Sequence, residues 1–388
     1  MTAVASDHPG TGTGRHRRAL RWRLTRLSGL AALAVALGAA ALHVALPSPE
    51  RGPSQPSGPL TLATVWPKAR IVDAPGTLGD GTAFTPLHHL DAQTAVGTAP
   101  SPDRTAVRLL LRGADGTVRQ LRTLPRRLEP QFGGFAASAD DLVWAESTAG
   151  PDGRGETRIW RAGGRTSAAP VALTADTGDA VFFNSQYDLV IADAAVHWVA
   201  AARTPTQVTE VRSVPLTGGA VVVWRIAGAY ALSAWPWLVS AGSGQTGPVA
   251  LRDLSSGATV TVAAPPTELV TCSNTWCRVL VLSTSAAPSQ MDLMRPDGTD
   301  RQKVAAGQVS ASISDVAVLD RFEVLSQSGS DGSPVSSQQL LLYDIAKRRT
   351  VPVATGVGTV ACRGGLLWWS TGDNESLTWH TLDLRTLT

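Results

Sequence analysis

The sequence predicts an all-β fold: a β-propeller of seven four-stranded blades, with six as the alternative, preceded by one N-terminal transmembrane helix. Three observations carry this. After residue 60 the chain repeats a unit of roughly 40–50 residues. Each unit reads as two hairpins, hence four short strands, which is the make-up of a propeller blade. The 37 glycines and 25 prolines favour many turns over a few long helices.

In chain order, residues 1–26 form a basic tail with Arg15, Arg17, Arg18, Arg21, Arg23 and Arg26. Leu27–Leu46 follows without a charge. As a helix it rises about 30 Å, the thickness of a hydrocarbon core. A cleaved signal peptide has a shorter apolar stretch, about 7–15 residues. The expectation is therefore a retained signal-anchor helix over 27–46. Ala39-Ala40-Ala41 offers small residues to a peptidase, so a cleaved leader and a secreted propeller is the alternative. Positive flanks stay in the cytoplasm. Both readings thus place the later residues outside, in the first case as a single-pass protein of the cell membrane. Residues 47–59, rich in Pro and Ser, read as an extended linker. The propeller domain is expected over 60–388.

The units start near Ala83, Gln131, Ala180, Ala229, Thr267, Val309 and Gly358. Asp115-Gly116, Gly218-Gly219, Ser256-Gly257 and Asp297-Gly298 sit between paired apolar runs and supply the left-handed backbone that hairpin turns need. An aromatic recurs early in the second strand: Trp144, Trp198, Trp237, Trp276, Phe322 and Trp368. One aromatic per unit fits packing between blades better than a sugar platform. Trp235 and Trp237, on one face across Pro236, are the candidates for exposed exceptions. The seventh unit lacks a fourth strand, while Leu60–Asp73 has no partner of its own. An open ring would expose unpaired backbone groups, so Leu60–Asp73 is expected to complete the last blade.

Charge excludes one class of partner. The net charge of +3 belongs to the tail, because residues 1–50 hold six arginines against Asp7 and Glu50. A nucleic-acid binder needs cations along a face. Only Arg126-Arg127 and Lys347-Arg348-Arg349 cluster in the repeats, so no nucleic-acid partner is expected. Lys68, Lys303 and Lys347 are the only lysines, and the arginine excess reads as coding bias.

The hairpins "RPDGT" at 295–299 and "ADGT" at 114–117, with "SPDR" at 101–104, resemble the WD40-like, or TolB-type, repeats of bacterial propellers. The resemblance extends over roughly residues 60–388 at the level of pattern. It implies the fold and a part as a protein-interaction platform. Related repeats also occur in enzymes, so fold alone does not choose.

Cys272 and Cys277 flank "SNTW", at the two ends of an inner hairpin turn, and are expected to form a disulfide outside the cell. His88 and His89 are successive strand residues on opposite faces and cannot easily grip one ion. No metal, cofactor or catalytic residue is expected. "G-x-S-x-G" and "H-E-x-x-H" are absent, and "SAGSGQTG" at 240–247 has no helix after it to cradle phosphate. "DGRGE" at 152–156 and "SGSDGSPVSS" at 328–337 read as loops between hairpins. The loops entering the inner strands should form a binding rim, with Glu129, Gln131, Asp176, Asp179, Asn184 and Gln186 as candidates. The function expected is a non-enzymatic binding or scaffold module for a protein or cell-envelope partner. The alternative is an enzyme on an envelope glycan or peptide, marked by facing carboxylates at the channel.

Overall fold

The structure is a computed structural model that describes residues 60–388 apart from 151–154, 165–167, 242–246, 284–288, 329–337 and 374. The expected tail, anchor helix and linker lie outside the described residues, as do most of the two loops expected at 152–156 and 328–337. No helix of the described residues is long and apolar enough to cross a membrane. Gly155 and Glu156, expected in a loop, already belong to a strand.

The strands form seven sheets, one per repeat, so the six-bladed alternative is excluded. From inside to outside, the first blade is β2 (Thr85–His89), β3 (Ala95–Pro100), β4 (Ala106–Arg112) and β5 (Val118–Pro125). The second is β6 (Gln131–Ala137), β7 (Asp141–Ala149), β8 (Gly155–Gly163) and β9 (Val171–Thr174). The third has a divided inner strand, β10 (Asp179–Ala180) and β11 (Val190–Ala192), both paired with β12 (Ala195–Ala201); β13 (Val208–Pro215) and β14 (Val222–Ala227) follow. The fourth is β15 (Tyr230–Leu232), β16 (Trp237–Ser240), β17 (Val249–Asp253) and β18 (Thr259–Val262). The fifth is β19 (Glu268–Cys272), β20 (Cys277–Val281), β21 (Gln290–Met294) and β22 (Gln302–Ala306). The sixth is β23 (Val309–Ala311), β24 (Phe322–Gln327), β25 (Gln339–Asp344) and β26 (Arg349–Thr355). The seventh is β27 (Val357–Arg363), β28 (Leu366–Thr371), β29 (Thr378–Asp383) and, outermost, β1 (Ile71–Pro75).

The ring closes through β1, which pairs antiparallel with β29 from Ile71↔Leu382 to Pro75↔Thr378. The closing strand is therefore Ile71–Pro75, shorter and later than the expected Leu60–Asp73. Leu62–Val65 is instead a helical turn, because Thr61 caps it: its Oγ1 accepts from Thr64 N at 3.2 Å. Trp379 Nε1 donates to Phe84 O at 3.0 Å, and Arg112 Nη1 to Pro75 O at 2.8 Å. Both bonds join the last blade to the first.

The core lies between blades. Side chains alternate across a strand, so a strand sandwiched between two sheets is apolar on both faces. In β7, Leu142 and Trp144 pack toward the first blade, while Val143 and Ala145 pack toward the third. Trp144, Trp198, Trp276, Phe322 and Trp368 are buried. Trp276 sits in the turn before β20 rather than in the strand. Trp235 and Trp237 are half-buried, and the Trp235 ring lies 3.8 Å from that of His197.

The arginine excess acquires a structural part that composition did not reveal. Buried Glu146 is held by Arg122, Glu210 by Arg212, Asp292 by Arg301 and Asp344 by Arg321, at 2.7, 2.7, 2.8 and 3.2 Å. Buried Glu323 meets Arg278, and buried Asp141 meets Arg161. A buried carboxylate needs such a partner to offset lost hydration. The bidentate guanidinium suits that geometry.

Candidate functional site at the central channel

Antiparallel order puts the turns between first and second strands on one face of the ring, called here the turn face. The connections between blades gather on the other. The interruption between β10 and β11, residues 181–189, is where the sequence leaves the repeat pattern. Asn184 adopts the left-handed conformation, φ 58°, which Asn tolerates better than most residues. Tyr187 N donates to Ser185 Oγ at 3.1 Å, and Phe183 N donates to Asp188 Oδ1 at 2.8 Å. These local bonds replace strand pairing with a compact loop.

That loop crosses the channel. Ser185 Oγ donates to Asp315 Oδ1 at 2.6 Å, and Gln186 N donates to Asp315 Oδ2 at 3.0 Å, both in the sixth blade. Ser314 Oγ donates to Asn184 O at 3.1 Å. From the seventh blade, Arg363 donates Nη1 to Ser185 O at 2.7 Å and Nη2 to Asn184 Oδ1 at 2.9 Å. Gly364 N donates to Gln186 Oε1 at 3.0 Å. Arg278 of the fifth blade supports this anchor by donating Nη2 to Asp315 O at 2.7 Å. Four blades thus share one hydrogen-bonded network.

The network is electrostatically uneven. Among the described residues, neither the buried Asp188 nor Asp315 has an arginine within salt-bridge distance. Burial pushes the pKa of Asp188 up to about 6, with the Asp315 charge adding to the shift and Arg363 opposing it. Asp315 is also raised, by burial, although Ser185 and Gln186 stabilise its charge. Burial pushes the Tyr187 phenol up to about 12, and the buried Cys362 thiol upward too. His88 and His89 are buried neutral, with pKa values lowered to about 3 and about 4, chiefly by desolvation. They point to opposite sides: His88 stacks on Phe135 of the second blade, and His89 lies against Trp368 of the seventh.

The six expected rim residues lie in the segments that enter the second and third blades. Glu129 and Gln131 are exposed at the start of β6. Asp176 and Asp179 are taken up by ion pairs, at 2.8 Å to Arg212 and 2.6 Å to Arg203. Asn184 and Gln186 take part in the channel network. Cys272 and Cys277 are joined by a disulfide where β19 and β20 face each other, under the pocket wall formed with Arg278 and Asp315. Sequence reasoning missed Asp188, Asp315 and Arg363. No repeat supplies an equivalent residue, and the one available signal was the long connection 312–321 between β23 and β24. Among the described residues no group of His, Cys, Asp and Glu forms a metal-ligand set.

No protein-family model and no curated protein matches the chain. Solved structures share its general architecture. A puromycin-hydrolysing peptidase of Mycobacterium tuberculosis is 15% identical, with a TM-score of 0.47, over 85% of this chain and 54% of that one. The propeller domain of the Trilobed protease of Pyrococcus furiosus is 11% identical, with a TM-score of 0.42, over 65% and 80%. TolB of Acinetobacter baumannii is 9% identical, with a TM-score of 0.38, over 68% and 64%. This chain thus spans about half the length of the mycobacterial peptidase. The sheet order of the chain itself, rather than these likenesses, carries the assignment: the protein is a seven-bladed β-propeller closed by strand β1.

Proposed function

We propose that the protein is a non-enzymatic binding module that presents the turn face of its propeller to a protein or cell-envelope partner. One observation carries this reading: the loop 181–189 is tied across the ring to Asp315 and Arg363, so those groups serve to hold it in place, while a cavity on the turn face beside it stays open. Localisation outside a bacterial membrane belongs to the same proposal. The Cys272–Cys277 disulfide suits an oxidising compartment, and residues 27–46 would serve as the tether or as a cleaved leader.

Photo-crosslinkers placed at Leu90 and at Thr206 of the full chain in cells test the reading. Leu90 lies on the turn face and Thr206 on the opposite one. Crosslinks enriched at Leu90 to one envelope component are expected. Equal labelling at both positions would overturn it.

A second reading has one specific observation in its favour. Asp188 and Asp315 converge, and a carboxyl with a pKa near 6 is poised for general acid catalysis. Release of product from a cell-wall glycan or peptide, abolished by Asp188→Asn, would replace the binding module with an enzyme.

A further inference from the structure

On the turn face, between the first, second and seventh blades and the crossing loop, lies a cavity of about 550 Å³. That is within the usual range of small-molecule sites, roughly 300–1,000 Å³. Leu90, Phe135, Leu189, Ile191 and Leu366 supply the apolar part of its wall. Its charged lining consists of Arg363 and Arg385, with no acidic residue. Asp188 and Asp315 do not line it. His88 lines it too, is 6% exposed, and its Nδ1 has no hydrogen-bond partner.

We propose that this cavity binds a carboxylate carried on an apolar group, such as the free C-terminus of a peptide with apolar last residues. The inference deepens the binding-module reading and rests on it.

Three features converge on that chemistry. The neutral His88 ring lines the cavity and has one N–H to donate. Arg363 spends two of its N–H donors on Ser185 O and Asn184 Oδ1 and keeps others. Desolvation lowers its pKa, while the nearby Asp188 and Asp315 charges raise it. Arg385 reaches the rim while paired with Asp383 at 2.8 Å, and can share a second carboxylate. The apolar wall would take the side chain beside the carboxylate, as small-ligand sites commonly do.

Calorimetric titration of the full-length protein tests this with three probes. They are acetyl-Ala-Leu-Phe with a free carboxylate, the same peptide as its C-terminal amide, and 3-phenylpropanoate. The free acid is expected to bind about tenfold more tightly than the amide, the worth of a charge-assisted bond. Binding of the peptide acid alone identifies a chain terminus as the ligand, and binding of 3-phenylpropanoate alone a small free acid. Arg385→Gln should weaken the acid severalfold, and Arg127→Gln, on the opposite face, should not. Arg363→Lys should weaken it as well; because Arg363 also holds the loop, Arg385→Gln decides if that variant fails to fold. Equal binding of acid and amide, or binding of none of the probes, would overturn this inference alone. Turnover of an envelope polymer would instead overturn the binding-module reading.

Discussion

Arg363, at the end of the inner strand of the seventh blade, reaches across the channel and donates Nη2 to Asn184 Oδ1 of the third blade at 2.9 Å. The two residues are 179 positions apart in the chain. This bond and its neighbour to Ser185 O tie the crossing loop to the ring, and several measurable consequences depend on them.

Arg363→Met should destabilise the fold by about 3 kcal/mol. It removes two bonds to the loop and leaves Ser185 O and Asn184 Oδ1 without their charged donor; a hydrogen bond to a charged group contributes about 1.5–3 kcal/mol. Urea unfolding of the variant measures it. A midpoint equal to that of the parent would show that the loop is held by packing alone.

Asp188 makes a signed prediction about pH. Its folded pKa, about 6, lies above the ordinary value of 3.8 for an aspartate. The folded state therefore binds more protons between those values, and the group's contribution falls as pH rises through about 6. His88 and His89 act oppositely. Their folded values, about 3 and about 4, lie below 6.5, so their contribution is full above pH 6.5 and lost as pH falls toward those values. The parent should gain stability from pH 4 to 6.5 with the Asp188 term opposing it. Asp188→Asn, whose amide oxygen still accepts from Phe183 N, should steepen that rise and be more stable at pH 7.5 by roughly 1–2 kcal/mol. Unfolding free energies at a series of pH values check both slopes. Superimposable curves would refute the assignment.

The closing strand should matter as much as a whole blade. A chain beginning at residue 76 loses the five pairings of β1 with β29 and the Asp73–His380 contact at 2.7 Å. It also exposes the edge of β29. Loss of a cooperative thermal transition is expected, whereas a chain beginning at residue 60 keeps it. An unchanged melting temperature after removal of β1 would mean that the ring holds without closure.

Cys272→Ser together with Cys277→Ser should cost about 2 kcal/mol, since the loop between the cysteines is short. Thermal melts with and without reductant should show the same loss in the parent and no difference in the double variant.

How much of this was legible in advance follows from where each contact lies along the chain. Hairpins are local. Asp115-Gly116 and Asp297-Gly298 mark their turns within a few residues, and the expected unit starts at Gln131 and Val309 coincide with β6 and β23. The need for a closing strand was also legible, because a seventh unit with three strands leaves an edge. Its true bounds were not: Thr61 caps a helical turn over Leu62–Val65, which moves the strand to Ile71–Pro75. The channel network was legible only as an anomaly, the apolar-then-polar "FFNSQY", which suggested a rim. Neither Asp315 nor Arg363 recurs between repeats; Arg363 gave no signal, and Asp315 gave only the length of the connection 312–321. The sequence by itself determined the repeats, their turns and their apolar faces, because those depend on near neighbours and the period of a strand. Only the tertiary structure decided that residues 184–187 enter the channel, because their partners, 129 to 179 residues away, come within reach once seven blades have curved into a ring.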